Sequence, residues 1–263
     1  MIRIAASELI LLGNPTLQNI NTLGSITNAV ELMMDGDDWD HSNGNWEKKK
    51  EIIAKTNIPL SVHPSAWDVN VASPIQAVRD AAEWLNLEAV EFCHGIGAHQ
   101  IVFHPGVIDR SAGFSKTKAL DRSYQMLDKM IAACKPYGIK IAFENISGPS
   151  LALFTQEEYI HALDGIDDSV YYLIDIGHAN YNGWNIPETI DSVADRLCGF
   201  HIHDNNGKAD QHLPIYRGSA DWDNIFASMR QLPEDVLYIL EYSRQCTLSD
   251  LEKGRDILLE QLD

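Results

Sequence analysis

Histidines and carboxylates recur in this sequence at intervals close to the length of one β-strand plus one helix. Six of them close short apolar segments: His63, His104, Glu144, Asp175, His201 and Glu241. Imidazole and carboxylate groups are ligands for Zn²⁺, Mn²⁺ and Co²⁺. One such residue alone is more often a cap, an ion-pair partner or a hydrogen-bonded core group. Six at equivalent positions predict a shared divalent-metal site.

Two further groups of candidate ligands fall in predicted loops. His178 follows Asp175 by three residues, and Asp210 and His212 place their side chains on the same side of an extended segment. Because the two loops follow neighbouring strands, these residues could share another metal. A polar tie between the loops is the alternative for each group.

The elements that would position these residues are eight short segments rich in Val, Ile, Leu and aromatic residues. Gly, Pro, Asn or Asp bound them, which is typical of strands. The predicted strands cover residues 2–6, 29–34, 59–63, 100–104, 139–144, 171–175, 199–203 and 236–241. The intervals between them have helical periodicity, as in the apolar stripe at Val78, Ala82, Leu85, Ala89 and Phe92.

Capping signals predict where two of the helices begin and end. Ser73-Pro74 predicts an N-cap followed by a first-turn proline, and Gly95 with Gly97 predicts the end of the same helix. The last helix is predicted to begin with a capping box at residues 249–252, spelled SDLE.

Alternating strands and helices predict an α/β fold in which crossover helices join parallel strands. Eight such units in 263 residues match a (β/α)8 TIM barrel, and we predict one domain over residues 1–263. An open doubly wound sheet is the rival, but the G-x-G-x-x-G turn of its dinucleotide-binding forms is absent from the sequence. Barrel active sites lie at the carboxyl ends of the strands, and strand alternation points Glu144, His201, His203 and Glu241 inward.

The charge and the cysteines bear on partners and compartment. Lys and Arg total 20 against 38 Asp and Glu, a net charge of −18 that argues against nucleic acid and anionic membranes as partners. The sequence contains no apolar run of membrane-spanning length and no signal-peptide pattern at its start. Four separated cysteines, with no C-x-x-C pair, predict reduced and mostly buried thiols in a cytoplasmic protein.

The segments around the candidate ligands resemble the xylose isomerase-like barrel superfamily, which includes endonuclease IV and many sugar isomerases and epimerases. The matching segments are SVHP at 61–64, VFHPG at 102–106, AFEN at 142–145, IDIGHAN at 174–180, HIHDN at 201–205, DQHLP at 210–214, GSADW at 218–222 and LE at 240–241. They cover seven of the eight predicted units. One loop departs from the family pattern. The family usually has a glycine before the G-x-x-D-W segment, whereas here Ile215-Tyr216-Arg217 precedes Gly218.

The resemblance implies a ligand set of nine residues. The metal site shared across the superfamily would be formed by Glu144, Asp175, His201 and Glu241. By resemblance to endonuclease IV, His63 and His104 would join Glu144 on a second metal. A third metal would be held by His178, Asp210 and His212. One to three divalent ions are therefore expected, with Zn²⁺ favoured at the His-rich sites and Mn²⁺ or Co²⁺ also suited to the first. His203 and Asp204 are candidates for orienting the ligands.

By the same resemblance, the activity expected is a sugar isomerase or epimerase. Glu144 and Glu241 would move a proton next to a carbonyl as base and acid, through a metal-stabilised enediolate. Trp39, Trp67 and Trp184 are candidates for covering a sugar or sugar derivative. Arg217, like Arg110, is a candidate for meeting a substrate phosphate or carboxylate. The sequence leaves assembly as a homo-oligomer open.

Two alternatives use the same residues. An endonuclease IV-like phosphodiesterase is favoured by the full ligand set, and disfavoured by the net charge and by the acidic segment 35–40 near the predicted mouth. A lyase (dehydratase) acting on keto-sugars or inositol derivatives needs the same enolate chemistry. The sequence does not separate this lyase from an isomerase.

Overall fold

Eight parallel strands form a closed barrel in which each strand pairs with the next in chain order and the last pairs with the first. The computed structural model describes residues 2–40 and 46–262. The strands are β1 (Arg3–Ser7), β2 (Ala29–Met33), β3 (Leu60–His63), β4 (Gln100–Phe103), β5 (Lys140–Glu144), β6 (Val170–Asp175), β7 (Leu197–Ile202) and β8 (Leu237–Leu240). The predicted TIM barrel is confirmed, and all eight predicted strands are present with ends within two residues.

Helices alternate with the strands and pack on the outside of the barrel. The described helices are α1 (Thr16–Gly24), α2 (Trp46–Ile53), α3 (Gln76–Gly95), α4 (Lys116–Cys134), α5 (Gln156–Ile160), α6 (Ile176–Tyr181), α7 (Ile186–Val193), α8 (Trp222–Met229) and α9 (Leu248–Leu262). None of them is both long and apolar enough to cross a membrane.

Two predicted helix starts are wrong by two residues. The Ser73 hydroxyl accepts a hydrogen bond from the Ile75 amide at 3.2 Å, which forms a turn before α3 rather than its cap. The capping box of α9 lies at Thr247 and Asp250 instead of Ser249 and Glu252. The Thr247 amide donates to Asp250 Oδ2 at 2.9 Å, and the Asp250 amide donates to Thr247 Oγ1 at 3.2 Å. The T-x-x-D pattern that begins two residues earlier than predicted therefore supplies the acceptors for amides at the start of α9.

Apolar residues form two layers separated by the barrel wall. Small and medium side chains, such as Ala142 and Ile239, fill the interior, whereas Ile141 and Phe143 belong to the larger layer between strands and helices. This is the predicted alternation along β5, and it directs Glu144 inward at the carboxyl end of that strand. The interior packing thus forms the floor on which the polar residues of the mouth rest.

The cysteines take no part in this polar region. All four are free; Cys93, Cys134 and Cys198 are buried and Cys246 is half-buried. Burial raises the pKa of the Cys134 and Cys198 thiols to about 12, so these residues pack as apolar side chains.

Candidate functional site

The carboxyl ends of the strands open into a cavity of about 560 Å³. Seven of the nine candidate ligands line it: His63, His104, Glu144, His178, Asp210, His212 and Glu241. The other two are fully buried and touch the lining. Asp175 Oδ1 accepts the His178 amide hydrogen at 2.6 Å, and His201 Nδ1 lies 3.1 Å from Glu144 Oε1. All nine predicted positions therefore meet at one site.

A first cluster surrounds one nitrogen of His201. Its Nδ1 lies 3.1 Å from Glu144 Oε1, 3.5 Å from Glu241 Oε2 and 3.7 Å from Asp175 Oδ2. These side chains come from the ends of β5, β6 and β7 and from the residue after β8. Three buried carboxylates this close together require a compensating positive charge. An imidazolium or a bound cation can supply it.

A second cluster joins two histidines to the same glutamate. Nε2 of His63 and Nε2 of His104 are 3.1 Å apart, and Glu144 Oε2 lies 2.8 Å from the latter and 3.7 Å from the former. His63 donates its Nδ1 hydrogen to the Pro64 carbonyl at 2.8 Å. Its Nε2 is thereby turned toward the cluster, which is the arrangement that a metal-binding imidazole needs.

A third cluster repeats this arrangement with Asp210 and His212 in the loop after β7 and with His178, which lies in α6 rather than in the predicted loop. His178 Nε2 lies 2.9 Å from Asp210 Oδ2, and His212 Nε2 lies 3.5 Å from Asp210 Oδ1. Each histidine donates its Nδ1 hydrogen to a backbone carbonyl, that of Asn145 at 2.8 Å and that of Glu241 at 3.0 Å. The backbone thus orients both rings with Nε2 toward the aspartate.

The histidines and carboxylates of these clusters stabilise each other's charged forms. Burial opposes ionisation of the imidazoles, but the carboxylates outweigh it. The pKa of His63 rises to about 9 beside Glu144, and that of His212 rises to about 9 beside Asp210. Burial likewise opposes ionisation of Glu144, yet His201 and His104 hold the pKa of this carboxyl well below its usual range. Without a cation, protonated histidines therefore balance the ionised carboxylates.

The loop that carries Asp210 and His212 is held by Asp204, which is fully buried. Its carboxylate accepts hydrogen bonds from the Gly218 and Ser219 amides at 2.8 and 3.1 Å and from Trp222 Nε1 at 2.9 Å. Asp204 thus acts on the candidate ligands through the backbone of their loop. His203 contacts the ligands directly.

His203 supports two candidate ligands. Its Nε2 lies 3.0 Å from Asp175 Oδ2, and its ring stacks on that of His212 with centroids 3.8 Å apart. His212 itself adopts a left-handed backbone with φ of 48°. Tyr216, in the segment that departs from the family's glycine, does the same with φ of 65°. Such backbones cost energy in residues other than glycine and concentrate at functional sites.

Most of the residues predicted to contact a substrate do not line the cavity. Trp67 lines the cavity and is 55% exposed. Trp39 is buried against Phe92, because the turn that contains it directs its ring toward α3, and Trp184 packs on Tyr159 with centroids 5.3 Å apart. Arg217 is exposed and lies outside the cavity lining.

Arg110 also lies outside the lining, because its guanidinium donates to the Pro149 carbonyl. Of the five substrate contacts considered, Trp67 alone is in place. Trp39 and Trp184 were assigned to loops near the mouth, and loop position does not determine which way a side chain points.

The sequence interpretation missed Glu31, which lies in the middle of β2 and is fully buried. Its Oε1 is 2.9 Å from His201 Nε2, and its Oε2 accepts from the Ser61 hydroxyl at 3.1 Å. A glutamate between valine and leucine in an apolar strand was the available signal, since burial of a charge requires a partner.

Comparison with known proteins agrees with the barrel fold. The model of the xylose isomerase-like TIM barrel family matches residues 18–262. An uncharacterized protein of Methanocaldococcus jannaschii is 27% identical over 81% of this chain and 73% of its own length. A probable endonuclease 4 of Aquifex aeolicus is 26% identical over 65% of this chain and 67% of its own length.

Solved structures share the fold over nearly the whole chain. A D-tagatose 3-epimerase-like protein superposes with a TM-score of 0.84 and 24% identity, covering 99% of this chain and 97% of the other. The IOLI protein with a bound zinc atom superposes with a TM-score of 0.81 and 16% identity, covering 99% and 98%. With 245 consecutive residues matched by the family model, the chain belongs to the xylose isomerase-like TIM barrel family.

Proposed function

We propose that this protein is a divalent-metal-dependent sugar isomerase or epimerase that transfers a proton next to a carbonyl. The observation that carries the proposal is the placement of Glu144 and Glu241. Both line the cavity, and both approach His201 Nδ1, at 3.1 and 3.5 Å. Two carboxylates reaching one cavity from separate strands form the acid–base pair that such a transfer needs.

The donor chemistry fits a metal at this site. Glu144, Asp175, His201 and Glu241 would hold the first ion, with oxygen and nitrogen donors suited to Mn²⁺, Co²⁺ or Zn²⁺. Asp210 Oδ1 is buried and accepts no hydrogen bond from the described residues, although two histidines face its carboxylate. A buried carboxylate oxygen left in this state is suited to a cation. When bound, a divalent ion supplies Lewis acidity that acidifies the proton next to a carbonyl.

The chain's own residues would carry out the proton transfer. One of Glu144 and Glu241 takes the proton from the carbon next to the carbonyl. The other returns a proton, either to the opposite face of that carbon or to its neighbour. His203, whose Nε2 lies 3.0 Å from Asp175 Oδ2, would keep that ligand in place during the transfer.

The described lining of the cavity favours a sugar without a phosphate group. It contains no Lys or Arg, and Arg110 and Arg217 lie elsewhere. Trp67, Val69, Val107 and Ile146 offer apolar surface beside the polar Asn70, Ser147 and ligand residues. This mixture suits the CH faces and hydroxyl groups of a free ketose. The solved D-tagatose 3-epimerase-like protein supports the same substrate class.

The experiment is a deuterium-exchange assay on a panel of free ketoses with metal-loaded protein. We expect Glu144→Gln and Glu241→Gln each to lower turnover and exchange at the carbon next to the carbonyl by roughly 10²–10⁴-fold, because each removes one partner of the acid–base pair. Exposed Glu51 on α2 provides the matched control, Glu51→Gln. Near-normal turnover in either active-site variant would contradict the assignment, and elemental analysis would show whether each variant retains its metal.

A second candidate, a phosphodiesterase, is favoured by the two additional clusters at His63 with His104 and at His178 with Asp210 and His212. Several metal ions in one site are typical of enzymes that hydrolyse phosphodiesters. Endonuclease 4 relatives point the same way. A keto-sugar or inositol lyase would use the Glu144–Glu241 pair, and detection of a dehydrated product in the ketose assay would identify it.

A further inference from the structure

Glu31 lies below the cavity and outside the proposed acid–base pair. It is the third residue of β2 and fully buried. Both of its oxygens have partners: Oε1 lies 2.9 Å from His201 Nε2, and Oε2 accepts from Ser61 on β3 at 3.1 Å. The glutamate therefore connects the second and third strands to the seventh through side chains inside the barrel.

The contact with Glu31 determines which nitrogen of His201 faces the ligands. An ionised carboxylate only accepts hydrogen bonds, so the nitrogen that pairs with it must carry hydrogen. That nitrogen is Nε2. The remaining nitrogen, Nδ1, points at the carboxylates of Glu144, Glu241 and Asp175.

His201 is oriented differently from three other histidines of the site. His63, His178 and His212 all donate Nδ1–H to a backbone carbonyl and present Nε2 to their clusters. His201 presents Nδ1 instead. Within residues 2–40 and 46–262, its Nε2 hydrogen bond goes to the side chain of Glu31, which a substitution can remove.

We propose that Glu31 is a positioning residue that fixes the ring and tautomer of His201, so that Nδ1 is the nitrogen offered to the divalent cation. The proposal rests on the metal centre of the proposed function. A hydrogen-bond acceptor behind a ligating imidazole fixes its tautomer and orientation, and its loss typically lowers metal affinity 10- to 100-fold.

The chain provides a matched control in Glu8, another carboxylate buried near the mouth. Glu8 is 1% exposed and accepts from Asn19 Nδ2 at 2.8 Å and from the Met33 amide at 3.1 Å. Neither partner is a candidate ligand. Substitution of Glu8 therefore measures the effect of removing a buried carboxyl group without removing a hydrogen bond to His201.

The experiment compares zinc affinity in Glu31→Ala, Glu31→Gln and Glu8→Gln, using a chromophoric chelator as competitor. We expect Glu31→Ala to bind Zn²⁺ 10- to 100-fold more weakly. Glu31→Gln should recover most of this loss, because its amide oxygen still accepts from Nε2–H. Glu8→Gln should bind as the unsubstituted protein does. Unchanged affinity in Glu31→Ala, or an equal loss in Glu8→Gln, would overturn the proposal.

Histidine ¹⁵N NMR of the zinc-loaded, unsubstituted protein tests the tautomer even if Glu31→Ala fails to fold. The His201 ring should carry its hydrogen on Nε2, and a hydrogen on Nδ1 would refute the positioning role. The two proposals fail differently. If the unsubstituted protein binds no divalent ion, the proposed function fails together with this inference. If it binds zinc and the Glu31 variants bind equally well, only the positioning role fails.

Discussion

At the residue scale, the histidines of the mouth link metal binding to protons. Burial opposes their ionisation, yet Glu144 and Asp210 raise the pKa of His63 and His212 to about 9, from the usual value of about 6.5. A histidine with a raised pKa stabilises the folded state fully below its unfolded pKa, and this contribution is lost as the pH rises through the folded pKa. A bound metal requires neutral imidazoles and so displaces these protons.

We therefore predict that the metal-free protein loses thermal stability between about pH 6.5 and pH 9, whereas the zinc-loaded protein does not. In the metal-free state, deprotonation leaves the buried carboxylates without a compensating charge. The measurement is the unfolding temperature of chelator-treated and zinc-loaded protein at several pH values across this window. His63→Gln should flatten part of the slope of the metal-free curve. A metal-free curve that is level from pH 6.5 to pH 9 would rule out this account.

Six candidate ligands could be predicted from the sequence because they close predicted strands, and a barrel places every strand end at the same mouth. His178, Asp210 and His212 were instead predicted from His–carboxylate groups in predicted loops and from the family resemblance. Glu144 and Asp175, for example, are distant in sequence yet both contact His201. Glu31 escaped the same reasoning because it is not at a strand end. Trp39 and Trp184 were misplaced because their orientation depends on tertiary packing against Phe92 and Tyr159.

At the scale of elements, one buried carboxylate makes several of the hydrogen bonds that hold the loop between β7 and α8. Asp204 holds the Gly218–Trp222 turn by hydrogen bonds, and its own amide and carbonyl pair with Leu213 at 2.8 Å each. Gly218 is required by this packing. A Cβ there would lie 2.2 Å from the Asn205 carbonyl oxygen and 2.3 Å from Asp204 Oδ1.

Asp204→Ala should lower the free energy of unfolding by about 3–5 kcal/mol, because it leaves several buried or partly buried N–H groups without an acceptor. Since the same loop carries Asp210 and His212, the variant should also lose metal from the third cluster. Gly218→Ala should have a similar effect by steric overlap. Chemical denaturation and elemental analysis measure the two effects. Asp223→Ala, at an exposed position in the first turn of α8, is the control. Full metal retention in both loop variants would show that the loop is held by other contacts.

The end of α3 and the start of α9 show which helix boundaries can be predicted from one sequence. The end of α3 at Gly95 was predictable because Gly97, at φ of 73°, supplies the left-handed residue that ends such helices. The start of α9 was not, because two overlapping patterns, beginning at Thr247 and at Ser249, both match a capping box. In the structure the upstream pattern is used, because Thr247 and Asp250 each accept a hydrogen bond from the other's amide.

At the scale of the whole molecule, closure of the barrel and the acidity of the chain act together. Pairing of β8 with β1 leaves the sheet with no free edge, and the candidate ligands line the cavity at the carboxyl ends of its strands. A net charge of −18 attracts divalent cations to that mouth and repels polyanions. The described cavity lining offers no Lys or Arg to offset this field near a phosphate.

The last prediction uses the negative charge of the molecule to distinguish a sugar isomerase from a phosphodiesterase. Zinc- or manganese-loaded protein should neither bind nor cleave duplex DNA containing an abasic site at physiological salt, because binding draws its affinity largely from cationic side chains that neutralise phosphates. The same preparation should turn over a free ketose. Glu144→Gln and His178→Ala serve as controls, since a contaminating nuclease would be indifferent to both. If the protein cleaves this DNA at stoichiometric metal and both variants abolish the cleavage, the function is that of a phosphodiesterase and not of an isomerase. That result would also mean that metal ions in the His-rich clusters supply the positive charge that the cavity's side chains lack.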